Sequence, residues 1–482
     1  MSQITQENLP RLVRKSPAPK PGIVHLGPGA FFRAFIAPYT DEAMAKAGGD
    51  WGIIAVSLKS GKARDQLRAQ ACAYTALELG PNGPIARQIE AIAEIMVAPE
   101  DPPAIIHAMS QPNIHIVSLT ITEKGYCHNP ADRQLISEHP NIRHDLQHID
   151  RPRSAIGFIV SALKERRDKG IPPFTVLCCD NLPSNGQLVR GLTLCFAELL
   201  SPDLAEWFAQ NVSFPSTMVD RITPATTEDN LAHIQTTQGY CDPAAIVHEP
   251  FRQWVIEDVF VADRPDWLAA GAQFVESVEA HELMKLRCLN GTHSTLAYLG
   301  YLAGFETISQ SISEPAFEHF CRYLWADEIL PTLPKPKGEN LPAYCEALLR
   351  RYQNPEIRHR LWQIAMDGSQ KLPQRIVAPL QNHLANGHVP KGFSLVIAAW
   401  MIYVGGVDEK GMPIDVRDPL AAELKAASQA ADPVNAFLSL DAVFDPSLIQ
   451  KAGLVAEIQS AYKRLKDKGA LDTVKAFTAH LS

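Results

Sequence analysis

The chain lacks the sequence marks of several protein classes. Nine cysteines occur among its 482 residues, yet none has the CxxC spacing of a zinc or redox site, and the adjacent Cys178 and Cys179 are poorly placed to form a disulfide. It contains neither the HExxH pair of a zinc hydrolase nor the GxSxG turn of a serine nucleophile. We therefore expect no metal ion and no disulfide framework, with most cysteines buried in a reducing compartment.

Excess positive charge and long apolar runs are also missing. The net charge of −8 argues against a nucleic-acid or anionic-membrane partner, and no apolar stretch reaches membrane-spanning length. Residues 1–8 lack the basic start and apolar core of a signal peptide. We expect a cytoplasmic protein, a monomer or small homo-oligomer, whose partner is a small molecule.

The order of the predicted elements indicates two domains. Apolar strands are predicted at 23–26, 52–57, 114–119 and 174–179, and helices at 33–47, 152–169 and 186–209. Such alternation is typical of βαβ units and a mainly parallel sheet. After about residue 280 nearly every segment has helical periodicity. The predicted helices lie at 281–303, 313–331, 340–351, 354–366, 374–387, 391–404, 417–430 and 446–467. We predict an α/β domain over 1–279 and a mostly α-helical domain over 280–482.

A glycine-rich turn joins the first strand to the first helix. Gly27 and Gly29 follow the strand directly, so the turn has the context of a dinucleotide site, in which glycines let a pyrophosphate approach the backbone at a helix N-terminus. Phe32 stands where the general fingerprint has a small residue, so a plain strand-to-helix turn is the alternative.

The segment after the second strand bears on the choice of cofactor. An acidic residue that would bond the adenosine ribose of NAD is missing there until Asp65. Lys59, Lys62 and Arg64 come first, and they either face the 2′-phosphate of NADP or coat a solvated helix start. The choice between NAD and NADP stays open on these residues.

Lys285 lies in the most informative stretch of the chain. In an α-helix, Asn290 would lie about 140° and His293 about 80° from Lys285 around the axis. An amine beside neutral hydrogen-bond donors is suited to removing a proton from an alcohol and holding the oxygen that results, provided that the pKa of the lysine falls well below ~10.4. A solvated lysine and a core histidine on an ordinary amphipathic helix are the alternative. A site at this domain junction is expected in a cleft.

Taken together, several segments resemble the polyol-specific long-chain dehydrogenase family, which includes mannitol 2-dehydrogenases and fructuronate reductases. The matching segments, which follow the family order over nearly the whole chain, are 25–34, 120–126, 179–186, 214–224, 285–293 and 367–373. The resemblance implies a Rossmann-type NAD(P)-binding domain, a helical C-terminal domain and hydride transfer without a metal ion.

The resemblance also implies roles for individual residues. Lys285 matches the catalytic lysine, Asn181 and Asn290 the asparagines that hold the reacting oxygen, and His293 the histidine that orients the substrate. The remaining candidates are Gly27, Gly29, Phe31, Arg33, Lys59 and Thr122 for the cofactor, Asp220, Lys371 and Arg375 for the substrate, and Glu123 and Glu282 for a proton relay.

Two departures and several alternatives accompany these roles. Phe32 and Phe35 replace two histidines of the family turn, and the acidic pair common in NAD-preferring relatives is missing. We expect NAD(H), with NADP(H) as the alternative. Glu123 is alternatively a capping or salt-bridging residue, and Asp220 is alternatively the partner of Arg221 in an internal ion pair.

The leading functional hypothesis is a dehydrogenase acting on a sugar acid, as in the reduction of fructuronate to mannonate. If Lys371 and Arg375 line the pocket, a substrate carboxylate is favoured over a neutral polyol. A hexitol or pentitol dehydrogenase, such as a mannitol 2-dehydrogenase, is the second hypothesis. A dinucleotide-binding sensor without turnover is the third, and the complete set of Lys285, Asn290, His293 and Asn181 argues against it.

Overall fold

Five apolar strands form the parallel sheet at the centre of the first part of the chain. In the computed structural model, which describes residues 9–480, the sheet order is β5-β2-β1-β6-β7. The strands within these described residues are β1 (Pro21–Leu26), β2 (Gly52–Ser57), β3 (Tyr74–Gly80), β4 (Gly83–Ile89), β5 (Ile92–Val97), β6 (Ile116–Leu119), β7 (Thr175–Cys178), β8 (Thr217–Asp220), β9 (Ile246–His248), β10 (Gln253–Glu257) and β11 (Gln273–Val275). Counted within the sheet, this is the order 3-2-1-4-5 of dinucleotide-binding folds. The predicted Rossmann-type sheet is therefore confirmed.

The sheet is buried on both faces because successive residues of each strand point in opposite directions. Val24 and Leu26 belong to one hydrophobic cluster, whereas Ile23 belongs to the other. Helices cover the two faces, as a parallel sheet requires. The helices of this part are Ala30–Ala34, Ile36–Ala47, Lys62–Arg68, Pro102–Ser110, Pro140–Gln147, Ala155–Asp168, Asn185–Leu200, Pro202–Asn211 and Glu228–Gln238, with a 3₁₀ turn at Glu123–Tyr126.

Two smaller sheets were not predicted from the sequence. One has the order β4-β3-β9 and the other β11-β10-β8. The hairpin of β3 and β4 was missed because β4 is largely exposed and carries Pro84 and Arg87, which weakens its apolar pattern. The second small sheet places Asp220 at the end of β8, where it pairs in register with Gln253.

The chain divides into two compact units, the first ending at Glu279 and the second beginning at Ala280. The described residues of the second unit form helices and isolated bridges without a strand, so the predicted helical character is confirmed. Its α-helices, the first beginning one residue before the boundary, are Glu279–Met284, Thr292–Leu302, Ile308–Ile312, Pro315–Tyr323, Leu341–Tyr352, Leu361–Ala365, Gly368–Leu372, Ala378–Ala385, Lys391–Tyr403, Ala421–Ser428, Pro433–Leu438 and Ala452–Thr478.

Among the described residues of this unit, three π-helical segments interrupt the helices, so helices that were predicted to be continuous are divided. The π-helical segments are Lys285–Gly291, Leu324–Ile329 and Pro373–Val377, and short 3₁₀ turns lie at Leu330–Thr332 and Leu448–Gln450. The predicted helix 354–366 was largely wrong, since only Leu361–Ala365 is helical. The expectation about residues 1–8 lies outside the described residues.

Candidate active site

The glycine turn after β1 has the backbone geometry that a dinucleotide needs. Gly27 has φ +95°, and a Cβ there would lie 2.3 Å from the carbonyl oxygen of Thr120. Gly29 differs, because a Cβ on it would meet no atom within 4 Å. Gly27 thus shapes the turn, whereas Gly29 leaves open space beside the amides that begin helix Ala30–Ala34. These residues fit a bound pyrophosphate.

Phe32 and Phe35, the departures from the family turn, are core residues. Phe32 is fully buried and stacks on His25, with ring centroids 3.9 Å apart. Phe35 stacks on Phe31 at 5.0 Å and packs against Trp254. Apolar stacking therefore replaces any polar contact at these positions, and Phe31 belongs to the same aromatic layer.

His25 supports the turn from inside the sheet. Its Nδ1 lies 2.8 Å from Ser118 Oγ and its Nε2 lies 2.9 Å from Thr120 Oγ1. Burial lowers the pKa of His25 to about 3, so the ring is neutral near pH 7. The sequence alone assigns His25 no role, because its function in positioning the turn depends on contacts with β6 and the residue that follows it.

Arg33 is held by the protein itself. Its guanidinium donates to the carbonyl oxygen of Ala244, and its own carbonyl oxygen accepts from the hydroxyl of Tyr74 at 2.6 Å. Burial lowers the pKa of Arg33. These contacts connect helix Ala30–Ala34 with β3 and with the segment before β9. A contact between Arg33 and a cofactor remains a prediction.

The cations after β2 are not equivalent. Arg64 forms ion pairs with Asp65, at 2.7 Å, and with Glu100. Lys59 and Lys62 are exposed on the same segment. Because Arg64 already has two carboxylate partners, only the two lysines remain to meet a 2′-phosphate.

Thr122 and Glu123 lie in a loop organised by Asp180. The amides of Ile121 and Thr122 each donate to the Asp180 carboxylate at 3.0 Å, and the hydroxyl of Tyr126 donates to it at 2.5 Å. Thr122 has φ +68°, an outlier for a β-branched residue, and Glu123 is exposed. Asp180, which the sequence reasoning did not single out, thereby holds this loop.

Asn181 and Asp220 lie at the ends of elements in the first unit. Asn181 is exposed and lies next to Asp180 in the segment that follows β7. Asp220, at the end of β8, is buried, with 4% of its surface exposed. Arg221 donates to the carbonyl oxygens of Ala34 at 2.7 Å and Glu249 at 3.1 Å. Arg221 is therefore a structural tie.

The geometry around Lys285 differs from the α-helix assumed above. Lys285 and Asn290 both lie in the π-helical segment, where hydrogen bonds join residues five apart and bring such residues to the same face. The value of about 140° between them is therefore wrong, and the π-helix places them closer than an α-helix would. Lys285 is 9% exposed, and Glu282 lies one helical turn before it.

His293 continues this stretch as a buried and neutral imidazole. It is 7% exposed, and burial, followed by His359, Arg351 and Arg375, lowers its pKa well below the usual 6.5. Its Nε2 is buried and has no hydrogen-bond partner among residues 9–480. A buried polar atom normally has a partner, so this nitrogen still has hydrogen-bonding capacity.

Arg375 lies in a second π-helical segment that packs against the first. Its Nη1 donates to Asn290 O at 3.4 Å and to Ser294 Oγ at 3.1 Å, and the absence of a side chain on Gly291 allows the two backbones to approach. Burial lowers the pKa of Arg375. In the described part of the chain, no carboxylate forms an ion pair with Arg375.

Lys371 lies one turn before Arg375. Its ammonium donates to the carbonyl oxygens of Ile364 at 3.3 Å and Met366 at 2.5 Å. Burial, followed by the charge of Arg375, lowers its pKa. The second unit therefore brings together His293, Lys371 and Arg375, with the Asn290 carbonyl in contact with Arg375. His359 is a further member that the sequence alone did not reveal, and Lys285 lies in the same π-helical segment as Asn290.

Three broader expectations concern cysteines, metals and membranes. The nine cysteines are all free thiols, and seven of them are buried, as predicted. Within residues 9–480, no three histidine, cysteine, aspartate or glutamate side chains are grouped as a metal site requires. Over the same range, no helix is both long enough and apolar enough for a membrane span.

The sheet order and the glycine turn define a Rossmann-type dinucleotide-binding fold, which a helical second unit follows. Two family descriptions match the chain: the mannitol dehydrogenase Rossmann domain over residues 21–269 and the mannitol dehydrogenase C-terminal domain over residues 277–466. The chain belongs to the mannitol dehydrogenase family.

Individual relatives cover nearly the entire chain. A D-mannonate oxidoreductase of Escherichia coli (strain K12) is 47% identical over 461 residues, which span 94% of this chain and 95% of that protein. The mannitol 2-dehydrogenase of Pseudomonas fluorescens, solved as a ternary complex with NAD and D-mannitol, is 37% identical, with a TM-score of 0.81 over 97% of this chain and 96% of that one. A D-sorbitol dehydrogenase in substrate-free form is 32% identical, with a TM-score of 0.91 over 97% and 98%.

Proposed function

We propose that the protein interconverts a ketose-type sugar acid and the corresponding hydroxy acid, fructuronate and mannonate, by NAD(H)-dependent hydride transfer without a metal ion. The half-buried guanidinium of Arg375 carries the choice of an acid over a neutral polyol. A buried charge is costly unless it is paired, and the partners of Arg375 are neutral oxygens. A substrate carboxylate would complete a charge-assisted, bidentate pair. The similarity to a D-mannonate oxidoreductase supports the same substrate class.

The proposed chemistry places the proton on Lys285. In the oxidative direction, the Lys285 amine accepts the proton of the substrate hydroxyl as a hydride leaves the same carbon, and in the reductive direction its ammonium returns that proton to the carbonyl oxygen. NAD(H), when bound, supplies the acceptor or donor of the hydride. The role requires an amine that is deprotonated at working pH, and the buried position of Lys285 supports it.

Neutral donors around Lys285 would hold the reacting oxygen. The side-chain amide of Asn290 lies on the same face of the π-helix, and the resemblance assigns the matching role in the first unit to Asn181. The unpaired Nε2 of His293 would bind a substrate hydroxyl. We assign Asp220, Lys371 and Arg375 to the substrate, and Glu282 and Glu123 to proton exchange with solvent.

The cofactor assignment rests on the first unit. Gly27, Gly29 and the first helix fit a pyrophosphate, and Phe31, Arg33, Lys59 and Thr122 lie on elements at the same end of the sheet. We propose NAD(H) because Arg64 is already committed to Asp65 and Glu100. NADP(H) is the alternative if Lys59 and Lys62 bind the 2′-phosphate.

A substrate panel tests this proposal. Oxidation of NADH and of NADPH, followed at 340 nm, is compared with fructuronate, tagaturonate, fructose and xylulose as substrates. We expect turnover of a sugar acid with NADH. Activity confined to fructose and xylulose would contradict the sugar-acid assignment and favour a neutral polyol dehydrogenase.

Replacing Lys285 tests the mechanism. Lys285→Ala should lower kcat by roughly 10²–10⁴-fold, the usual contribution of a general acid–base. The control is Lys425→Ala, which removes an exposed lysine from helix Ala421–Ser428 and should leave kcat unchanged. Near-normal turnover by a folded Lys285→Ala protein would show that the mechanism is wrong.

A further inference from the structure

A second imidazole, His359, lies against His293 in the helical unit. The two ring centroids are 5.1 Å apart and the rings are nearly perpendicular, at 85°. The Nδ1 atom of His359 is buried and has no hydrogen-bond partner among residues 9–480, as is also true of His293 Nε2. Neighbouring imidazoles therefore each present an unsatisfied nitrogen.

The backbone on both sides of His359 is fixed. Its amide donates to the carbonyl oxygen of Ile357 at 2.8 Å, and its own carbonyl oxygen accepts from the amide of Ile308 at 3.1 Å. The next residue, Arg360, pairs with Thr307 in an isolated bridge. The backbone that carries the ring is thus fixed, and the unsatisfied buried nitrogen is destabilising unless a ligand completes it.

The surroundings of His359 favour an acidic ligand. Burial, followed by the positive charges of Arg351 and Lys371, lowers the pKa of His359 to about 4, so the ring is neutral near pH 7. A neutral imidazole carries a single N–H, which can lie on either ring nitrogen. The cations near His359 would attract an anionic ligand, and the tautomer with the proton on the nitrogen that faces this ligand would then be favoured. Lys371 also responds to the charge of Arg375, which links these groups electrostatically.

We propose that His359 is a specificity-determining residue, whose Nδ1–H donates to the carboxylate of the sugar acid that Arg375 binds. This inference rests on the proposed function and adds a residue to it. A neutral polyol has no carboxylate at this position and gains nothing from the contact. His359 would therefore discriminate between acids and polyols without taking part in the transfer of hydride or proton.

Paired substitutions of His359 test the inference. His359→Asn keeps a side-chain amide near the position of Nδ1, whereas His359→Leu removes the donor and His359→Gln places its amide near the position of Nε2. Hydrogen bonds to charged groups contribute about 1.5–3 kcal/mol, so we expect the Leu and Gln variants to lose roughly 10- to 150-fold in kcat/KM for the sugar acid. The Asn variant should retain most of this value.

The remaining measurements separate specificity from structural damage. The loss should fall mainly on KM for the sugar acid, while KM for NADH, the melting temperature and turnover of a neutral ketose stay within about twofold. Equal values for the Asn, Gln and Leu variants, or equal losses on acid and neutral substrates, would overturn the inference. A wild-type protein that turns over no sugar acid would instead refute the proposed function, so the two failures are distinguishable.

Discussion

Arg375 provides the sharpest test of the substrate assignment, because its roles in stability and in binding should oppose each other. The side chain is half-buried, burial lowers its pKa, and its partners are two neutral oxygens at 3.1 and 3.4 Å. Charge-assisted bonds of arginine are normally about 2.7–2.9 Å long. The fold alone therefore satisfies this guanidinium poorly. We predict that Arg375→Met leaves the protein without substrate at least as stable as the wild type.

The magnitudes follow from these contacts. Two long hydrogen bonds to neutral acceptors contribute about 1–2 kcal/mol together, which the relief of desolvation offsets. Losing a charged pair with a carboxylate should instead cost about 3 kcal/mol in transition-state binding, or roughly 150-fold in kcat/KM. Stability without substrate is thus expected to stay the same or rise, whereas kcat/KM for the sugar acid falls.

The assay compares urea unfolding with steady-state kinetics on the same preparations. The matched control is Arg350→Met, which replaces an exposed arginine in helix Leu341–Tyr352 and should change neither quantity. An Arg375→Met protein destabilised by several kcal/mol would show that the fold itself pairs this charge. Unchanged kcat/KM for the sugar acid would show that Arg375 does not bind the carboxylate.

Two further predictions concern the first unit. Gly27→Ala should destabilise the fold by at least about 2 kcal/mol, because its Cβ would lie 2.3 Å from Thr120 O at φ +95°. Gly29→Ala, which meets no atom within 4 Å, should keep the stability and raise only KM for NADH, as measured by urea unfolding and kinetics; equal instability of both variants would contradict this. His25, with its pKa lowered from 6.5 to about 3, stabilises the fold above pH 6.5, and this contribution is lost as the pH falls towards 3. Between pH 7.5 and 5 this residue should account for about 2 kcal/mol of lost unfolding free energy, so His25→Gln should show a smaller pH dependence; an unchanged dependence would refute the assignment.

The strands that the sequence predicted best are those buried on both faces of the central sheet. Strands β1 and β2 are buried on both faces, so their apolar runs identify them without knowledge of the neighbours. In the hairpin, β3 is also buried, but Thr75 and Glu78 interrupt its apolar residues, and β4 has a single buried residue. Local patterns therefore identified four of the five strands of the central sheet and missed its partly exposed edge strand β5 and the two smaller sheets.

In the candidate site, too, residues adjacent in sequence were predicted, whereas residues that depend on distant contacts were missed. Lys285, Asn290 and His293 are adjacent in sequence and were found there, whereas His359 gains its meaning only from the ring of His293 beside it. The role of Asp180 likewise depends on amides some 58 residues earlier in the chain. The π-helical spacing of Lys285 and Asn290 was missed because α-helical periodicity is the default expectation.

Three of the segments that match the family contain a non-glycine residue with positive φ. Thr122, Ser184 and Asp367 have φ values of +68°, +46° and +55°, and each belongs to a different one of those segments. Non-glycine residues in such conformations cost about 1–3 kcal/mol each, so surrounding contacts must hold them. Asp180 bonds the amide of Thr122, and the carbonyl oxygen of Arg417 accepts from the amide of Asp367. Local preference and tertiary structure conflict at these positions, and such conflicts concentrate where function constrains the backbone.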